Sequence, residues 1–149
     1  MTSRAYALPD PVSQPEFYAD VPVKRLIAWI VDMILIGIIS ALILPLTLFT
    51  GIFFFGAIFL TVSFIYRVVT LTNGSATLGM RFVGIEFRTQ HGDRFDLGHA
   101  FLHTLGYSVS IAFFVLQLIS IVLMLTSSRS QGLTDHVMGS VAINRAARY

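Results

Sequence analysis

Three long apolar blocks alternate with short polar stretches along the chain. The first runs over about residues 24–48, the second over about 51–71 and the third over about 97–126. A helix rises 1.5 Å per residue, so each of the first two blocks is long enough to cross roughly 30 Å of hydrocarbon. Pro45 bends or ends the first, and Thr47, Thr50 and Gly51 make an uncharged turn into the second. The pattern predicts an antiparallel transmembrane hairpin. The second block carries Phe at 53, 54, 55, 59 and 64 and small residues such as Gly56, Ala57 and Ser63, which favour close helix packing. Tyr66 and Arg67 approach its far end, where an aromatic and a snorkelling cation are expected.

The third block admits two geometries. Leu97 to Ser110 is amphipathic, whereas Ile111 to Thr126 is almost wholly apolar. A single helix would cross once. A helix broken near Gly106–Ser110 would dip in and return, or lie along the interface. The second geometry agrees better with the residues beyond the block. Arg129, Arg145 and Arg148 lie there, and Val141-Ala142-Ile143-Asn144 reads as a short strand suited to pair with residues 82–88. Pairing requires both strands on one side of the membrane.

The polar stretches supply the remaining elements. Residues 1–20 are rich in Pro, Ser, Gln and acids without periodicity and read as a disordered cytoplasmic tail; residues 146–149 form a second tail. Residues 72–81 are small and turn-forming and predict a tight connection. Val83, Ile85 and Phe87 then alternate with Gly84, Glu86 and Arg88, the pattern of a half-buried strand. Asp96 suits the N-cap of a helix starting near Leu97. The fold class is therefore an all-α polytopic membrane protein with a short cytoplasmic β element, its transmembrane domain spanning 21–145.

Composition sharpens this. Only 12% of residues are charged and the mean hydropathy is +0.77, against roughly 25% charged residues in soluble domains. The net charge of +2 is spread among apolar blocks, which argues against a nucleic-acid partner and for the lipid bilayer. Cysteine is absent, so disulfide and thiol chemistry are excluded. Lys24 and Arg25 flank one end of the hairpin, Arg67, Arg81 and Arg88 the other, and the turn between has no cation. The N-terminus and the 72–98 segment are therefore expected in the cytoplasm.

One carboxylate, Asp32, interrupts the first block, seven positions after Arg25. The two share a helix face about 10 Å apart along the axis. A carboxylate in hydrocarbon is costly and is a functional candidate by default. It binds a cation or proton, or it is a structural carboxylate paired with Arg25, Arg67 or a backbone donor. Arg67 is expected to be its direct partner, because neighbours on one helix lie three or four positions apart and Arg25 is seven away. Asp135 either closes a polar cluster with Arg25 or Arg81 or caps the turn before the last strand. His99 and His103 share a helix face at i, i+4 and are weak metal candidates, but no third ligand accompanies them and Ala100 stands where a metalloprotease needs Glu. Gly74 to Gly79 lacks the Lys-Ser/Thr of a phosphate loop. No cofactor and no enzymatic nucleophile set is expected.

Three stretches together resemble the RDD family of small bacterial membrane proteins. They are Lys24-Arg25-Leu26-Ile27-Ala28-Trp29-Ile30-Val31-Asp32, then Ala76-Thr77-Leu78-Gly79-Met80-Arg81-Phe82-Val83-Gly84, then Gly132-Leu133-Thr134-Asp135-His136. The family is named for one Arg and two Asp, which match Arg25, Asp32 and Asp135. Met80, Thr134 and His136 stand where Lys, His and Arg are common. The resemblance covers about 20–145. It implies a bacterial inner-membrane protein and brings with it a suspected transport of unassigned ligands. The leading expectation is a homo-oligomer assisting ion or small-solute movement, with Arg25, Asp32, Arg67 and Asp135 as its polar cluster. The rival is a membrane scaffold or accessory subunit that docks a membrane-protein partner and whose cluster is structural.

Overall fold

The computed structural model describes residues 8–145. Residues 1–7 of the expected tail and the 146–149 tail lie outside the described residues. The chain is mostly helical, with a small two-stranded sheet. The elements are α1 (Val21–Leu46), α2 (Phe55–Thr72), α3 (Leu78–Val83), β1 (Ile85–Arg88), α4 (Leu97–Ala112), α5 (Phe114–Thr126), α6 (Leu133–Met138) and β2 (Val141–Asn144).

Two helical segments, Pro15–Leu46 and Thr50–Thr72, are long and apolar enough to cross a membrane. Their outward side chains suit an apolar solvent. Ile34, Ile38 and Leu42 of α1 and Leu60 and Ile65 of α2 are exposed, which in water would be a large unsatisfied apolar surface. Pro45 sits one residue before the end of α1, where the helix stops anyway. Residues 50–54 form a 3₁₀ turn, so α2 begins at Phe55, later than expected.

The third block is broken. The axes of α4 and α5 differ by 117°, and the chain is extended at Phe113. The break lies C-terminal to the expected Gly106–Ser110. Gly106 serves another purpose: a Cβ there would stand 2.5 Å from Cγ2 of Thr134, so the glycine lets α6 lie against α4.

The packed core lies around the start of α1, away from the exposed flanks of the long helices. Val21 and Ala28 of α1 meet Met80 of α3, Ile85 and Phe87 of β1, Phe95, Ala100 of α4 and Ala142 of β2. β1 and β2 pair antiparallel, Ile85 opposite Asn144 and Arg88 opposite Val141, as their alternation led one to expect. The segments flanking the α4–α5 pair are thereby held side by side.

Three expectations are corrected. Residues 8–20 are structured. Tyr18 packs on Val141 and Ile143, its hydroxyl donates to the carbonyl of Pro9 at 2.8 Å, and Asn144 Nδ2 donates to the carbonyls of Glu16 and Ala19. The apolar surface of β2 and the Asn144 side chain supply what the polar composition lacks. Residues 78–83 form α3 instead of a bare connection, because Thr77 caps them: its Oγ1 accepts from the Met80 N–H at 3.2 Å. Glu86, expected on the outward face of a strand, is fully buried. Arg88 reaches it at 2.8 Å, and Arg145 and Arg94 lie at 3.5 and 3.8 Å, so three guanidinium groups cover the carboxylate.

The α1–α3 crossing depends on Gly79. A Cβ at that position would lie 2.2 Å from the Ala28 carbonyl oxygen and 2.8 Å from Asp32 Oδ1, a backbone overlap that no rotamer relieves. Gly79→Ala is expected to cost at least the roughly 1–3 kcal/mol of an overpacked core. Gly56→Ala, with nothing within 4 Å, is expected to be neutral. Thermal unfolding of the purified variants in detergent measures the difference.

Candidate functional site: two aspartates beside one cavity

Asp32 is buried in the middle of α1 and accepts three hydrogen bonds, none from a formal cation. Tyr66 Oη of α2 donates to Oδ1 at 2.6 Å, the Gly79 N–H of α3 donates to Oδ1 at 2.8 Å, and Thr77 Oγ1 donates to Oδ2 at 2.6 Å. Tyr66 Oη in turn accepts from the Leu78 N–H at 3.2 Å. One carboxylate thus fastens α1 to α2 and to the first turn of α3.

Asp135 is also fully buried, in α6. Its Oδ2 lies 2.5 Å from Arg25 Nη1 and accepts from the Gly132 N–H at 3.0 Å. Its Oδ1 meets His103 Nε2 of α4 and Ser140 Oγ, each at 2.8 Å. Of the two roles weighed for Asp135, it joins Arg25, not Arg81; the backbone N–H it holds is that of Gly132 at the start of α6 and not one in the turn before the last strand. Arg81 instead donates to the carbonyls of Ala76 and Thr70. Burial alone would raise the Asp135 carboxyl, but the Arg25 guanidinium and His103 outweigh it and hold the group well below the usual carboxylate range. Phe87 links the partners, its ring 5.2 Å from Arg25 Cζ and 4.3 Å from the His103 ring centroid.

The four expected cluster residues are not one contact network. Arg25 pairs with Asp135, and Asp32 bonds to neutral donors. The expected Arg67–Asp32 pair is not formed. Tyr66, the preceding residue of α2, occupies Asp32 instead. Arg67 Cζ stacks 3.8 Å over the Tyr107 ring of α4, whose hydroxyl accepts from Trp29 Nε1 at 2.7 Å. All four nevertheless line a single cavity of about 540 Å³ walled mainly by α1, α4, α5 and α6, with Arg67 reaching it from α2, together with His103 and Tyr107.

His99 and His103 do not converge. His99 bonds to Asp96 at 2.8 Å at the start of α4, while His103 points to Asp135. No group of three potential metal ligands occurs among the described residues.

Sequence reasoning missed Tyr66, Thr77, Gly79 and Ser140 as partners of the aspartates. The Thr77-x-Gly79 pair was visible as part of a family-like stretch, but its contact with Asp32 spans 45 positions and no local pattern encodes it. Thr77→Val and Tyr66→Phe are both expected to destabilise, because each removes a bond to Asp32 and the acceptor of one backbone N–H in the first turn of α3. Each lost bond to the carboxylate is worth about 1–3 kcal/mol, and unfolding in detergent measures both.

The RDD family profile matches residues 20–139 and contains both aspartates and Arg25. No curated protein and no solved structure matches the chain. The match covers most of the chain, and the protein belongs to the RDD family.

Proposed function

We propose that the chain assists the movement of an ion or small solute across the bacterial inner membrane. The observation that carries this reading is the cavity itself. It brings two arginines, a histidine and two carboxylates into a chain whose helices otherwise expose apolar side chains. Ionisable groups placed among apolar helices are costly and mark solute or ion paths by default. A pocket of a few hundred Å³ with a few convergent polar groups is also the usual form of a small-ligand site.

In this reading α1 and α2 form a transmembrane hairpin with the N-terminus in the cytoplasm, and α4–α5 form a re-entrant element. The re-entrant geometry is supported by the 117° bend and by the β1–β2 pairing, which joins the segments before and after it. The exposed flanks of α1 and α2 suit lipid and further copies of the chain, so a homo-oligomer is part of the proposal. The two aspartates divide the work. Asp32, satisfied by three neutral donors, is the fixed pin of the helices. Asp135, Arg25 and His103 join the start of α1 to α6 and α4 by charge, and separating them is the step that would couple a proton or ion to opening.

The rival reading, a non-transporting scaffold or accessory subunit, is favoured by one observation: the donors around Asp32 leave it fully engaged in holding helices together. Proteoliposomes decide between them. With an entrapped pH-sensitive dye and an imposed potassium diffusion potential, the transport reading expects wild type to dissipate a proton gradient faster than empty vesicles. Asp135→Asn at equal folded protein content is expected to fall toward the empty-vesicle rate. Equal rates in wild type and empty vesicles would sink transport and leave the scaffold.

The Asp135 pair also fixes a pH dependence. Its folded carboxyl lies below the ordinary value of 3.8, so its stabilisation is complete above that value and is lost as pH falls below it. Leaving Arg25 and His103 without their buried partner costs about 3–5 kcal/mol. The gap in unfolding midpoint between wild type and Asp135→Asn is expected to hold steady from neutral pH down to the ordinary carboxylate value and to narrow below it.

A further inference from the structure

Among the described residues Arg67 is a cation with no hydrogen-bond acceptor. It is 9% exposed. Among the described residues no carboxylate lies within 4.0 Å of it, none of its guanidinium nitrogens makes a side-chain hydrogen bond, and Nε is buried without a partner. Its guanidinium lies over the face of Tyr107, which favours positive charge but fixes no N–H. A buried guanidinium carries five donors, and leaving them unmade is expensive. Asp32, on the same cavity, is not its partner: the hydrogen bonds of that carboxylate come from Tyr66, Thr77 and Gly79. Ser110 also lines the cavity, and among the described residues its Oγ is buried without a partner. The Gln117 amide lines the same space.

The rest of the wall is apolar. Leu26, Trp29, Ile111, Ile121 and Leu125 line the cavity and are themselves exposed, so open apolar side chains form part of its wall. A free inorganic anion entering there would lose its hydration before reaching Arg67. A headgroup carried on an acyl chain would not: its chain covers the apolar rim while its oxygens meet the guanidinium and Ser110.

We propose that this cavity binds an anionic amphiphile, a carboxylate or phosphate headgroup on an acyl chain, through Arg67 and Ser110. The proposal rests on reading the cavity as a solute site and names the chemical class of that solute. Arg67 supplies a fork of donors matched to two oxygens of one headgroup. Ser110 supplies a hydroxyl donor. Fatty-acid carboxylates and phospholipid phosphates share this chemistry.

Trp29 is the sole tryptophan and lines the cavity, so it reports occupancy directly. The full chain is reconstituted in phosphatidylcholine vesicles and titrated with a brominated fatty acid, brominated phosphatidylglycerol or brominated phosphatidylcholine. Quenching of Trp29 is then compared at equal mole fraction. At least one anionic quencher is expected to act at about tenfold lower mole fraction than the zwitterionic one, the ratio that one charge-assisted contact supplies; which one does so identifies the source. Arg67→Gln is expected to abolish the preference and Arg67→Lys to retain part of it. Should Arg67→Gln not be recovered folded, Ser110→Ala takes its place and is expected to reduce the preference.

Equal quenching by all three lipids in wild type would overturn the proposal. So would an anionic preference left unchanged in both the Arg67 and Ser110 variants, because flanking cations would then be its cause. Quenching reads occupancy and vesicle flux reads transport. Preferential quenching without flux therefore supports the site and removes transport, whereas flux without the preference supports transport and removes this ligand class.

Discussion

The structure depends on one buried carboxylate accepting three neutral hydrogen bonds. Asp32 lies far from either end of α1, among side chains suited to lipid, and a charge there is tolerable only with its oxygens fully engaged. The donors come from three separate places: the hydroxyl of Tyr66 on α2, the cap residue Thr77 and the backbone of Gly79 on α3. Apolar contacts between helices are weak determinants of register in a membrane, because lipid packs against a leucine as well as another leucine does. A carboxylate with three fixed donors has no such substitute. It sets how α1, α2 and α3 meet, and Gly79 is the residue whose lack of a side chain allows them to meet so closely.

From that crossing the rest is placed in sequence. α3 ends at Gly84 in a left-handed turn that starts β1. β1 captures β2, and β2 brings back the chain beyond α6, where Asp135 finds Arg25 on the first turns of α1. The two aspartates are alike in burial and opposite in partners. Asp32 has neutral donors only, whereas Asp135 has a guanidinium and an imidazole. The first arrangement suits a permanent fastening. The second holds the group by charge, so it responds to anything that changes charge.

Much of this was legible in the chain. The apolar blocks marked the long helices, alternation marked the first strand, Val141–Asn144 read as a short strand suited to pair with it, and the later cations favoured a broken third block. Arg25, Asp32 and Asp135 stood out because ionisable residues are rare in such a sequence. What was not legible were the contacts. Helical spacing said that Arg25 and Asp32 share a face but not that each looks to a different element. Arg67 was the natural partner of Asp32 on charge alone, yet Tyr66 on the next position reaches it. The break at Phe113 carries no glycine or proline, so no local residue announced it, while Gly106, which looked like a hinge, is a contact point for Thr134. Glu86 followed the strand alternation in sequence but is buried because arginines from distant positions close over it.

Satisfying Asp32 without a cation has a consequence for the other charges. If Asp32 were paired with Arg67, as charge counting suggests, the cavity would hold two closed ion pairs and no free donor. Instead Tyr66 and Gly79 share Oδ1, Thr77 bonds to Oδ2, and Arg67 stands apart from the carboxylate. The guanidinium of Arg67 is left beside Tyr107 with its fork of N–H groups open. Neutral donors around the pin and an open cation in the cavity are thus two sides of one arrangement. The fold does not need Arg67 to hold Asp32, and among the described residues its guanidinium has no acceptor of its own.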